Sequence, residues 1–263
     1  MVFFNSILYH TSSVLICIVL LGAIYIFYLA GTRLGVYRRK KDPTAKMDGV
    51  GALDGALMGL LALLLSFTFS MSASRFDDRR AAIIHEANAI GTAILRADLY
   101  PDSIRNEFRK DFEQYVEARI AYFDAGNDEQ KIDQSLAEAN TISGRLWKRA
   151  TTLSVQSGTV MPHSQSVPAL NDMIDAVTTR EAARIATVPD LIIWLLIILT
   201  VLVSMIIGYN KKEQKNDWIL LSIYSLMTVI TIFTILDLDR PSRGIIKTAI
   251  QNHKIIELRD MFR

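Results

Sequence analysis

Four stretches of this chain carry no Asp, Glu, Lys or Arg: Thr11–Thr32, Gly55–Ser74, Leu191–Asn210 and Trp218–Leu236, of 22, 20, 20 and 19 residues. At a rise of about 1.5 Å per residue, each is long enough to cross a hydrocarbon core of about 30 Å as a helix. Mean hydropathy is +0.25 although 21% of residues are charged, so the apolar residues are clustered rather than spread. That excludes a soluble enzyme, a disordered chain and a secreted disulfide scaffold. Cys17 is the only cysteine and lies in the first stretch, so no intrachain disulfide or cysteine metal cluster can form. The first stretch reads as a retained span rather than a cleaved signal, because no Lys or Arg precedes it and no small-x-small cleavage site follows it.

Between the second and third spans, Arg75–Asp190 shows helical and no strand periodicity. A first helix is expected to continue from the second span to about Asp98, with Ile83, Ala87, Ile90 and Ile94 on one face. A second, about Asp102–Ala125, aligns Ile104, Phe108, Phe112, Tyr115 and Phe123 and ends at Gly126-Asn127. A third, about Asp128–Gln156, spaces Ile132, Leu136, Ala139, Ile142, Leu146, Ala150 and Leu153 by threes and fours. Gly158–Pro168 reads as a polar loop, and a fourth helix, about Ala169–Thr187, uses Leu170, Ile174, Val177 and Ile185 and is expected to be continuous with the third span, whose entry Pro189 marks. All six prolines are expected between elements. The expectation is an all-α integral membrane protein with four transmembrane helices and a helical-bundle domain inserted between helices two and three. Its parts are residues 1–74 (first helix pair with a basic linker), 75–190 (the extramembrane domain), 191–236 (second helix pair) and 237–263 (an amphipathic tail that lies on the membrane or packs on the bundle).

Charge is segregated along the chain. Arg75–Asp190 has 14 basic and 18 acidic residues, whereas the Arg33–Gly49 linker has six basic and two acidic. A short basic loop between spans is a topology signal rather than a nucleic-acid site. It places the linker in the cytoplasm of a bacterial cell, and the N-terminus and helical domain outside.

Catalytic signals are sparse. His10, His85, His163 and His253 stand far apart, without the spacing of a metal site, and no P-loop, GxGxxG or GxSxG occurs. An intramembrane enzyme would need converging ionisable groups within the spans, which hold none, so no catalytic residue, metal or cofactor is expected. The second span is richer. Gly51, Gly55 and Gly59 form a small-xxx-small face for close helix packing. Ser66, Ser70 and Ser74 then recur every four residues beside the row Leu63, Phe67 and Met71, followed by Arg75, Arg79 and Arg80. One reading is a packed helix whose hydroxyls bond back to its own carbonyls, with arginines at the membrane edge. The other is a pore-lining helix, with an apolar constriction and a cationic mouth formed by several copies around an axis. After the fourth span, Asp237 and Asp239 oppose the helix macrodipole, so both are expected to have partners, with Arg240 or the arginines after span two as candidates for an ion-pair network or an ion vestibule.

The run Gly-Leu-Leu-Ala-Leu-Leu-Leu-Ser-Phe-Thr-Phe-Ser-Met-Ser-Ala-Ser-Arg-Phe-Asp-Asp-Arg-Arg at Gly59–Arg80 resembles the bestrophin-like domain family of bacterial membrane proteins. So do Glu86-Ala-Asn-Ala-Ile-Gly-Thr92 and the terminal Asp-Leu-Asp-Arg-Pro. A more distant likeness joins it to the bestrophins proper, which implies a pentameric anion channel with Leu63, Phe67 and Met71 at an apolar neck. It also implies a cytosolic helical domain, opposite to the charge argument. Three departures stand out: the aromatic signature after Arg75 is reduced to Phe76, the acidic calcium clasp of animal members has no convincing counterpart, and the basic linker argues for the reverse orientation. The expected function is therefore a homo-oligomeric ion channel in the lipid bilayer, passing small anions and lined by span two. The alternative is a non-conducting sensor or scaffold whose helical domain binds a ligand or partner.

Overall fold

The computed structural model describes residues 11–41, 50–153, 160–211, 218–240 and 249–263, apart from the side chains of residues 50–53 and 249–252. Among the described residues there is no strand. The helices are α1 (Ser13–Lys41), α2 (Val50–Ala97), α3 (Asp102–Asp124), α4 (Glu129–Leu153), α5 (Val160–Ile185), α6 (Asp190–Asn210), α7 (Trp218–Asp239) and α8 (Ala249–Ile256). A 3₁₀ turn, Glu257–Phe262, closes the chain. The four membrane-length helices are α1, α2, α6 and α7, so this is a multi-pass membrane protein. Contacts group the chain into two compact units, Met1–Arg75 with Thr187–Arg240, and Phe76–Ala186 with Pro241–Arg263. Helix α2 belongs to both.

In the first unit, α1 is the helix on which α6 and α7 pack. Ile16, Leu20, Ile24 and Tyr28 from α1 meet Ile193, Leu196, Leu199 and Val203 from α6 and Leu221, Ile232, Ile235 and Leu236 from α7. The closest backbone approach is made by glycines that the sequence pattern did not mark. A Cβ at Gly31 or Gly35 would overlap the carbonyl oxygen of Met205 or Tyr209, and one at Gly208 would overlap that of Tyr28. Gly31-xxx-Gly35 is thus the small-residue face that lets α1 and α6 touch through their backbones. The buried hydroxyls of Thr200 and Ser204 are satisfied within their own helix: Thr200 donates to the Leu196 carbonyl at 2.7 Å and Ser204 to that of Val201 at 2.7 Å. Ile18, Val19, Ile26, Leu191, Ile219 and Met227 remain exposed, as residues that face acyl chains would.

In the second unit, the later half of α2 packs with α3, α4, α5 and the C-terminal tail. Ile90, Ile94, Phe108, Phe112, Leu146, Ala150, Leu170, Met173 and Ile255 are all buried in its core. Tyr100, Phe108 and Phe112 stack in sequence with centroid separations of 5.2 and 6.4 Å. After α3 the chain turns at Gly126, whose φ of 58° is a left-handed conformation that costs glycine nothing. The tail packs on the bundle: Ile255 and Leu258 are buried, Arg259 is bidentate to Glu117 at 2.6 Å, and Arg109 donates to the Met261 carbonyl at 3.1 Å. Of the tail residues, Ile245 and Ile246, and the side chain of Ile250, lie outside the described residues.

Three expectations are corrected. The loop expected through Pro168 is helical from Val160 onward, with Pro162 in its first turn and Pro168 in its interior. Pro168 deprives the Ser164 carbonyl of a donor, but both residues are exposed, so water can serve that carbonyl. Gly158 itself lies outside the described residues. The buried row of α5 runs Leu170, Met173, Ala176, Arg180, and leaves Ile185 exposed, because Arg180 must face inward. Finally, α5 does not continue into the third span: residues 186–189 are non-helical, since Pro189 lacks an N–H and biases Val188 away from helical geometry.

Candidate functional site

Helix α2 is the least apolar of the four membrane helices and also the least covered by its own chain. Its most apolar window has a mean hydropathy of 1.9 and is 17% buried, against 2.3 to 3.0 and 28% to 39% for the others. The covered side carries Leu61, Thr68 and Ser72, with Leu57, Leu64, Leu65 and Met71 partly buried beside them. Thr68 donates to the Leu64 carbonyl at 2.7 Å.

The open side is continuous. Gly55, Gly59, Leu63, Ser66, Ser70 and Ser74 follow one another at steps of three or four residues, and at about 100° per residue their mean direction lies about 180° from the covered row. A Cβ at Gly55 or Gly59 would meet nothing within 4 Å. Leu63 is 51% exposed, Phe67 is 62% exposed at the border of this stripe, and the three serines are exposed. Leu60 and Met58 flank the stripe and are exposed too. The expected neck residues are therefore divided: Leu63 and Phe67 stand on the open side, whereas Met71 leans against the core of its own unit. Gly51 lies at the helix start, and its surroundings fall outside the described residues.

The arginines after the span also divide. Arg75 is half-buried, with Nη2 3.9 Å from the Met71 sulfur. Arg79 is buried and donates to the Ala186 carbonyl at 3.3 Å, a cation at the C-terminus of α5 where the macrodipole favours one. Arg80 is exposed, 3.4 Å from Asp77 and over the Phe76 ring. At the end of α7, Asp237, Asp239 and Arg240 are all buried. Asp239 accepts from the Val188 N–H at 2.8 Å, and Arg240 donates to the Thr11 carbonyl, so the pair ties the approaches to α6 and α1 to the end of α7.

A second constellation went unseen in the sequence. Glu86 of α2 is fully buried between Arg119 of α3 and Arg180 of α5, which donate to its two carboxylate oxygens at 2.5 Å each. Both guanidinium groups lie over the Tyr122 ring, at 4.5 and 4.6 Å, and Arg180 lies 3.8 Å from the Phe123 centroid. Tyr122 in turn donates to Glu181, which Arg184 holds at 3.0 Å. Burial pushes the phenols of Tyr115 and Tyr122 up, so both remain neutral. The available signal was a lone Glu86 on the apolar stripe Ile83, Ala87, Ile90, and a lone Arg119 following Phe112 and Tyr115. Each departs from its pattern because the other neutralises it. Among the described residues no cluster of three or more His, Cys, Asp or Glu could hold a metal.

Four membrane-length helices with a helical bundle inserted after the second define a polytopic all-α membrane protein with one long helix shared by both parts. The model of the bestrophin-like domain matches residues 17–250, and the chain belongs to that family. The fold also matches the crystal structure of a bacterial bestrophin homolog from Klebsiella pneumoniae carrying a tryptophan-to-alanine mutation. That match has a TM-score of 0.70 at 15% identity and covers 96% of this chain and 99% of that one. A search of curated proteins finds no match.

Proposed function

We propose that this protein is an oligomeric ion channel of bestrophin type whose pore is lined by the open stripe of α2. One observation carries the reading: the span least suited to lipid is the span its own chain covers least. Glycine backbone and serine hydroxyls facing acyl chains gain little, so sister protomers and a central aqueous path are the better surroundings for that face. Leu63 and Phe67 then supply the apolar constriction, which gates by dewetting, and Ser66, Ser70 and Ser74 supply hydroxyl dipoles toward the mouth. Exposed Arg80 and half-buried Arg75 add positive charge there and favour small anions. A pentamer, small-anion selectivity and the bacterial cytoplasmic membrane are what the family likeness implies.

The test is planar-bilayer recording of purified protein. The expected result is anion-selective single-channel current that rises in Phe67→Ala; no current, or current unchanged by that substitution, refutes the reading. The scaffold alternative is favoured by the bundle of α3–α5 with its buried charge cluster, and mass measurement in detergent separates the two, since a monomer cannot enclose a pore. Orientation is decided by Met161→Cys, an exposed site in a chain whose native Cys17 is buried. Labelling in intact cells by an impermeant maleimide follows from the basic linker, and protection follows from the bestrophin likeness.

A further inference from the structure

Helix α1 is 29 residues long, more than a hydrocarbon core requires. At about 1.5 Å per residue, Ser13–Thr32 already covers about 30 Å, so Arg33–Lys41 carries the intact helix about 13 Å further, through a headgroup layer about 5–8 Å deep. That extension holds the cations Arg33, Arg38, Arg39, Lys40 and Lys41 and no acidic residue. Among the described residues none of these five is ion-paired. The macrodipole at the helix C-terminus amounts to about half a negative charge, so it answers only a small part of them. Two of the cations are also held in place. Arg38 donates to the Tyr209 hydroxyl at 2.6 Å, with its guanidinium 6.0 Å from that ring's centroid, and Arg39 donates to the Tyr209 carbonyl at 3.4 Å. A topology signal requires cations in a loop; it does not require them ordered on a helix against a tyrosine.

The faces of α1 are distinct. Gly31 and Gly35 turn one side toward α6. At about 100° per residue, Arg33, Tyr37 and Lys40 lie on the opposite side, and all three are exposed. The same side continues down the span as exposed Val19, Ile26 and Leu29, with Gly22 between them, where a Cβ would meet nothing within 4 Å. One face is therefore apolar at the depth of acyl chains and cationic, with a phenol, at the depth of headgroups. That is the complement of an amphiphile with a negatively charged head, whereas a free phosphate would use the cationic end alone.

We propose that this face of α1 binds an anionic phospholipid, with the phosphate diester between Arg33 and Lys40 beside Tyr37 and an acyl chain along Leu29 and Ile26. Arg38, Arg39 and Lys41 add to the positive field around the headgroup. The site lies on α1 and not on the stripe of α2, so it depends neither on conduction nor on the leaflet in which α1 ends.

The experiment uses the full-length protein in a nonionic detergent with equal amounts of phosphatidylglycerol and phosphatidylcholine, and native mass spectrometry reads the bound lipid. Saturable retention of phosphatidylglycerol in preference to phosphatidylcholine is expected. The triple variant Arg33→Gln, Lys40→Gln, Lys41→Gln should weaken it about 100-fold, since each cation near a headgroup contributes about fivefold. Lys110→Gln, Lys131→Gln, Lys148→Gln removes as many exposed cations from the helical bundle and should leave retention unchanged. Because the first variant also alters residues that guide insertion, the unaltered protein supplies a second readout: a tenfold rise in ammonium acetate should weaken phosphatidylglycerol retention several-fold and leave phosphatidylcholine unaffected. Equal retention of the two lipids, retention undiminished in the α1 variant or by salt, or an equal loss in the bundle variant would overturn the proposal. Displacement of phosphatidylglycerol by inorganic phosphate at the same concentration would overturn it too, by assigning the cations to free phosphate.

Discussion

Replacing Glu86 with leucine removes the carboxylate to which two buried guanidinium groups donate at 2.5 Å. Glu86 and Arg119 are fully buried and Arg180 is 6% exposed, so water cannot take the place of the lost partner. Breaking one buried ion pair from one side costs about 3–5 kcal/mol, and here one substitution strands two cations, so that range is a lower bound. For a chain of this size, 1 kcal/mol moves the midpoint by about 2–4 °C, which gives a fall of about 6–20 °C. The assay is far-UV circular dichroism of detergent-solubilised protein heated at a fixed rate. The cause is isolated by the triple variant Glu86→Leu, Arg119→Met, Arg180→Met, which buries no charge and should recover most of the loss. A midpoint for Glu86→Leu within about 2 °C of the unaltered protein would refute the account, as would a triple variant no more stable than the single one.

Other expectations follow from the helix packing and the tail. Gly31→Ala and Gly208→Ala push a methyl into a facing carbonyl and should cost about 1–3 kcal/mol each, read as lowered thermal midpoints. Gly55→Ala and Gly59→Ala meet nothing in the protomer, so a changed mass in detergent without loss of helicity is expected there. Gly126→Ala must adopt a φ of 58° and should lose about 1 kcal/mol in the same thermal assay. Arg259 holds the Glu117 carboxyl below its ordinary value of 4.5, so this contact stabilises the docked tail above that pH and is lost as pH falls through the lowered value. Hydrogen exchange of residues 255–262 should quicken across that acid range. The increase should be no more than about fivefold, because both side chains are close to half exposed and Ile255 and Leu258 continue to anchor the tail.

The sequence by itself determined the four spans, the helical nature of the inserted segment and the breaks at Pro101 and Gly126. These rest on local physics: runs long enough for a bilayer, apolar periodicity and the backbone limits of proline and glycine. The bestrophin-like family was also legible, because the block from Gly59 to Thr92 is contiguous. What only the tertiary structure decided are relations between distant residues. Gly31 and Gly35 look like ordinary span glycines until the carbonyls of Met205 and Tyr209, more than 170 positions away, are brought against them. The polar stripe of α2 was visible as a spacing, but that it lies opposite the covered row, and that Met71 belongs to the covered side, depends on which neighbours the helix meets. Glu86, Arg119 and Arg180 each break an apolar stripe and read singly as faults in a pattern. Only the packing of three helices turns them into one ion-paired cluster, because the energy of a buried charge is set by what surrounds it and not by its place in the chain.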